Sequence, residues 1–127
     1  MGLWYPDWEF YVETHRIMLR RFGGFPGIAK AGKERFEAVM RKVRETRGDL
    51  YVKAAVMLRE LRRVRIVEDA QKRTAYTVTA TFLEMNGGRM KVTDPEEVNR
   101  FLRDMLKYSL DEVVEWIRNG RVPQEGA

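Results

Sequence analysis

The segment Thr74-Ala-Tyr-Thr-Val-Thr-Ala-Thr-Phe-Leu83 carries no charge, and the way it folds decides the architecture of the whole chain. Tyr76, Val78, Ala80 and Phe82 alternate with Thr77, Thr79 and Thr81, the period-two pattern of a half-buried strand. Asn86-Gly87-Gly88 and Arg89-Met-Lys-Val92 would then complete a β-hairpin. Against this, an isolated two-stranded hairpin among helices is marginal, whereas a helix uncharged all round suits the middle of a bundle. Periodicity leaves both readings open.

Immediately upstream, Arg65-Ile-Val-Glu-Asp69-Ala-Gln71-Lys72-Arg73 sets a carboxylate, a side-chain amide and two cations at the mouth of the uncharged segment. If a helix starts there, its first backbone N–H groups carry partial positive charge, and Lys72 and Arg73 add formal charge beside them, which suits a phosphate group. A basic cap on a solvated loop is the other reading these residues allow.

Outside this region the pattern is helical. Tyr11, His15, Met18 and Phe22 share one face of a helix from about Asp7 to Phe22, stopped by Gly23-Gly24-Phe25-Pro26-Gly27. Phe36, Val39, Met40 and Val43 mark a second helix ended by Gly48. Leu50, Ala54, Met57, Leu58, Leu61 and Val64 mark a third, with Lys53, Glu60 and Arg63 on its other side. Asp94-Pro95-Glu96-Glu97 reads as a capped helix start, and Ser109 with Glu112 as a capping box whose helix closes at Asn119-Gly120. The tail after Val122 is expected to fray.

With 127 residues, 44% hydrophobic and 34% charged, the chain suits a single domain spanning residues 1–127 with one core. No apolar run approaches the length of a membrane span, and Trp4, Tyr5, Trp8 and Phe10 make the start read as structural, so a cytoplasmic protein without membrane association is expected. The absence of cysteine excludes disulfides, thiolate catalysis and sulfur-ligated zinc, and a lone His15 leaves little for a transition metal. A net charge of +5 raises the question of nucleic acid, but the cations are interleaved with 19 acids, so a nucleic-acid partner is not expected. The densest cations, Arg59, Arg62, Arg63 and Arg65, read as a solvated helix face.

Three blocks, taken in order, resemble the Doc branch of the Fic/Doc family, the death-on-curing toxins of toxin–antitoxin modules. His15 followed by Arg21-Phe22-Gly23-Gly24-Phe25-Pro26-Gly27 is similar to the family's first helix and its Tyr/Phe-Gly-Gly-Leu-Pro-Gly. Asp69-Ala70-Gln71-Lys72-Arg73-Thr74-Ala75 resembles the end of the signature His-x-Phe-x-Asp-Gly/Ala-Asn-Lys-Arg-Thr-Ala. Phe82-Leu83 with Asn86-Gly87 resembles the Phe-Leu-x-x-Asn-Gly that follows. The resemblance implies an all-α fold, a compact bundle of about six helices in which the signature loop leads into a central buried helix from about Gln71 to Met85. Threonines are tolerable there because their hydroxyls can return to the carbonyl one turn back.

The resemblance further implies ATP and Mg²⁺ as ligands, with Asp69 holding the metal and Gln71, Lys72 and Arg73 lining the phosphate site. It implies an antitoxin partner and a translation-factor target; the oligomeric state stays open. At the position of the family's proton-accepting histidine, however, stands Arg65, whose guanidinium has a pKa of about 12 or above and accepts no proton at neutral pH. Val67 replaces the signature Phe, and Gln71 the Asn. His15 matches a helix-one position and reads as a packing residue. The implied functions are a toxin-fold protein with a phosphate site and impaired phosphotransfer, an active protein kinase or nucleotidyltransferase in which Arg65 and Asp69 serve catalysis, and a non-catalytic protein-binding module.

Overall fold

The computed structural model describes residues 2–123; the expected fraying of the tail falls mostly on residues 124–127, outside the described residues. The chain is all-helical: α1 (Trp8–Phe22), α2 (Gly32–Glu45), α3 (Leu50–Arg63), α4 (Gln71–Met85), α5 (Pro95–Asp104), a 3₁₀ turn (Met105–Lys107) and α6 (Leu110–Asn119). Among the described residues the only β-type pairing is an isolated antiparallel bridge between Ile28 and Val67. No described helix is long and apolar enough to cross a membrane.

Local chemistry sets most helix ends. The Asp7 side chain accepts from the Phe10 N–H at 2.8 Å, and Asp94 from the Glu97 N–H at 3.1 Å with Pro95 beginning the helix. Ser109 and Glu112 form the reciprocal capping box, and Gly120 closes α6 in the left-handed conformation. α2 stops at Glu45, ahead of Gly48, where Thr46 turns extended and its hydroxyl donates to the Lys42 carbonyl at 2.7 Å.

The ambiguous segment is a helix, and no residue from Thr74 to Leu83 is fully exposed. The alternation of threonine with apolar residues therefore marks a helix covered on nearly all sides, by α3, α1 and α5, rather than the two faces of a sheet. Thr74 and Thr81 donate to the carbonyls of Ala70 and Thr77 at 2.8 and 3.0 Å, the one-turn return that makes buried threonine tolerable. The residues that would have formed the second strand of a hairpin are a loop tied down at three points, the first being the Arg89 N–H, which donates to the Tyr51 hydroxyl at 3.4 Å. Lys91 N–H donates to the Ile117 carbonyl at 3.1 Å, and the Tyr76 hydroxyl to the Val92 carbonyl at 2.6 Å.

α3 shares the centre with α4, for Ala54 to Leu58 and Leu61 are all buried. Glu60 departs from the sequence pattern. It lies on the covered side, 7% exposed, where it meets Arg63 at 2.8 Å and Lys42 at 3.2 Å. The hydrogen bond from Arg63, helped by Lys42, holds its carboxyl below the ordinary glutamate range against the opposing effect of burial.

The Thr79 hydroxyl is buried without a hydrogen-bond partner. An unsatisfied buried hydroxyl costs about 1–3 kcal/mol, and valine keeps the β-branched shape without it. Thr79→Val is expected to stabilise the protein by about 1 kcal/mol in urea unfolding; a less stable variant would mean that the hydroxyl is satisfied in solution.

Candidate functional site

Between α3 and α4 the chain runs through Ile66 and Val67, both buried, and turns at Glu68–Ala70 into α4. The loop after α1 lies alongside it. Ala29 N–H donates to the Ile66 carbonyl at 3.0 Å and Glu68 N–H to the Gly27 carbonyl at 3.1 Å, flanking the Ile28–Val67 bridge. Two glycines permit this approach. At Gly24, with φ at 127°, an added Cβ would stand 3.0 Å from Asp69 Oδ2; at Gly32 it would stand 2.5 Å from the Ile66 carbonyl oxygen.

Gln71 borders the cleft formed here, yet its carboxamide is engaged inside the loop. Oε1 accepts from the Ile66 and Val67 N–H groups at 3.0 and 3.4 Å. Nε2 faces the carbonyls of Leu61 at 3.1 Å and Arg62 at 3.4 Å, and that of Val64 more closely still. The amide expected to face a phosphate thus ties the end of α3 to the start of α4. The methylene that lengthens Gln over Asn provides the reach.

Asp69 is fixed by two backbone donors, Phe25 N–H to Oδ2 at 3.1 Å and Ala70 N–H to Oδ1 at 2.8 Å. These bonds, then the charges of Arg73 and His15, hold its carboxyl below the ordinary aspartate range, so it stays ionised at neutral and mildly acidic pH. His15 is buried, with Nε2 2.9 Å from the Asp69 carbonyl oxygen. It is a packing residue that also braces the site from α1, a contact its helical spacing does not announce.

Ala70 precedes α4 with φ at 61°, a left-handed conformation uncommon for alanine, and supplies no side-chain cap. The first N–H groups of α4 are consequently uncapped beside Lys72 and Arg73. The Arg73 guanidinium stacks over Phe22 at 4.5 Å from the ring centroid. Arg65 is exposed, its Nη1 3.4 Å from Glu68 Oε2, while its carbonyl accepts from Arg35 Nη1 at 2.8 Å.

These groups line an open cleft of about 580 Å³ that carries Arg62, Arg63, Arg65, Lys72 and Arg73 against Glu68 and Asp69. Folding therefore brings Arg62 and Arg63 to the signature loop beside Arg65, where the sequence suggested only a solvated face for them. Arg62 Nε donates to the Leu102 carbonyl at 3.2 Å, and Asn99 reaches the cleft from α5. No local motif marks Asn99, which lies exposed on the flank of the buried face of Val98, Phe101 and Leu102 through which α5 docks.

No cluster of three or more potential metal ligands occurs among the described residues. Asp69 nevertheless fits a Mg²⁺ ion that keeps its waters and shares substrate phosphates: each oxygen receives one N–H and retains further acceptor capacity.

No protein-family model matches the chain. Over 95 residues it is 34% identical to the protein kinase Doc of Escherichia phage P1, covering 71% of this chain and 72% of that protein. That extent of identity, on an all-helical bundle, places the chain in the Doc family.

Proposed function

We propose that this chain is a Doc-type toxin-fold protein whose cleft binds the phosphates of Mg-ATP, and whose phosphotransfer is impaired because Arg65 stands where the family has its proton-accepting histidine. The observation that carries this reading is the oriented, ionised Asp69 beside the uncapped start of α4 with Lys72 and Arg73. Asp69 would hold Mg²⁺, which neutralises phosphate charge when bound. Lys72, Arg73 and the first N–H groups of α4 would meet the phosphate oxygens, with Gln71 positioning the loop beneath them. The kinase named among its relatives favours phosphoryl over nucleotidyl transfer.

Thermal denaturation with Mg-ATP tests the binding. Ligand at about a hundred times its Kd adds about 2.7 kcal/mol to stability, a rise of several degrees in Tm. Lys72→Ala should shrink that rise, and Asp69→Ala with Lys72→Ala should remove it. No shift at millimolar Mg-ATP in the parent protein would leave the fold without the nucleotide site.

A second reading, a protein-binding module that engages an antitoxin or a translation factor, draws on the exposed side chains at the cleft's rim. Phe22 is 55% exposed and Phe25 77%, with Ile28 alongside. Pull-down with Phe25→Ser as control separates it from nucleotide binding.

A further inference from the structure

We infer that the cleft is part of a longer cationic groove that binds single-stranded nucleic acid, with phosphates along its cations and bases against the phenylalanines at its rim. The inference goes beyond the Mg-ATP reading and does not depend on it. Along the sequence the cations are interleaved with acids, so no nucleic-acid partner is expected from it, but folding sorts them. A second open hollow, of about 360 Å³, is lined by Lys42 from α2 and by Arg59, Glu60 and Arg63 from α3. Arg63 also lines the cleft, so the two hollows adjoin at that side chain.

The carboxylates of this groove do not neutralise it. Glu60 is taken up by Lys42 and Arg63, Glu68 meets Arg65, and Asp69 receives the N–H groups of Phe25 and Ala70. Four cations are left over. Arg59 and Lys72 make no ion pair or hydrogen bond among the described residues, and both are half-buried, so their heads are held near the groove rather than swung out into solvent. Arg62 gives Nε to the Leu102 carbonyl and has its terminal nitrogens to spare, while Arg73 lies over the Phe22 ring. A row of unpaired cations in a groove is the electrostatic footprint of a polyanion.

The rim selects which polyanion. Phe25 is 77% exposed, and the bond from its own N–H to Asp69 places it at the edge of the cleft; Phe22, beneath Arg73, is also largely exposed. Aromatic faces and a guanidinium plane beside a row of cations let bases stack while the phosphates meet the charges. An acidic peptide would use the cations and leave the rings idle, and a duplex keeps its base faces stacked inside. An unpaired strand uses both.

Fluorescence anisotropy of labelled oligo(U) and oligo(dT) of about twelve nucleotides, with a duplex of the same length beside them, is the test. Both single strands should bind more tightly than the duplex, and the tighter of the two identifies the sugar. With phosphates met by Arg59, Arg62, Lys72 and Arg73, log K should fall against log salt with a slope of about −3, roughly a fiftyfold loss between about 50 and 200 mM salt. Arg59→Ala should make that slope shallower by about 0.7 and, lying outside the nucleotide cleft, leave stabilisation by Mg-ATP unchanged. Phe25→Ser should weaken binding about tenfold at unchanged slope. No binding at the lower salt, a duplex bound as tightly as the single strands, affinity unmoved by either substitution, or displacement by oligoglutamate of equal charge at equal concentration would overturn the inference, the last pointing to an acidic protein instead. Binding is measured without nucleotide, so a failure of Mg-ATP to stabilise the protein would leave this inference standing.

Discussion

Replacement of Gln71 by alanine is expected to destabilise the protein by about 3 kcal/mol, read from chemical unfolding at unchanged helix content. The carboxamide joins the Ile66 and Val67 N–H groups to the carbonyls of Leu61, Arg62 and Val64, and alanine would leave all of these without that partner. A buried backbone group left unpaired costs about 1–3 kcal/mol, and water entering from the cleft offsets part of the sum. Asparagine should fall between the two, because its shorter side chain cannot serve both sides of the loop. A Gln71→Ala variant within 0.5 kcal/mol of the parent would show that solvent replaces the staple fully.

The second large effect is a gain. Arg65→His is expected to raise phosphate release from Mg-ATP by about a hundredfold, the lower end of what a positioned general base contributes. Imidazole titrates near neutrality, so it can accept a proton at the working pH, as a guanidinium cannot. The exchange should be nearly neutral for stability, since the guanidinium is solvated and only loosely paired, and the bond from Arg35 is to the Arg65 backbone carbonyl. An unchanged rate in a variant that still binds Mg-ATP would show that the missing histidine is not what limits this chain.

Much of this architecture is legible in the sequence, for reasons that differ from element to element. Asp94-Pro95 and the Ser109–Glu112 box announce α5 and α6 because capping is local chemistry between residues three apart. α4 is not announced that way. Its threonine alternation satisfies a strand as well as a helix, and only the likeness of three separated blocks to one family chose correctly, with the bounds Gln71–Met85. Glu60 misled because its burial depends on Lys42, which arrives from another helix.

The cleft was legible in its residue types more than in their tasks. Asp69, Lys72, Arg73 and Arg65 do converge there, and they are near neighbours in sequence. The turning of Gln71 toward the backbone, the brace from His15 across 54 positions and the arrival of Arg62 and Asn99 all depend on how separate helices dock. Spacing along the chain carries no record of that.

The Gln71 staple also bears on how such a site ages. Because one side chain closes the last turn of α3 onto the first turn of α4, the loop between them is tied into the core, and a substitution that loosens it is penalised as a folding defect whether or not the cleft is still in use. Arg65 lies outside that protection. Its side chain supports nothing in the core, so this position can drift while the scaffold around it is kept.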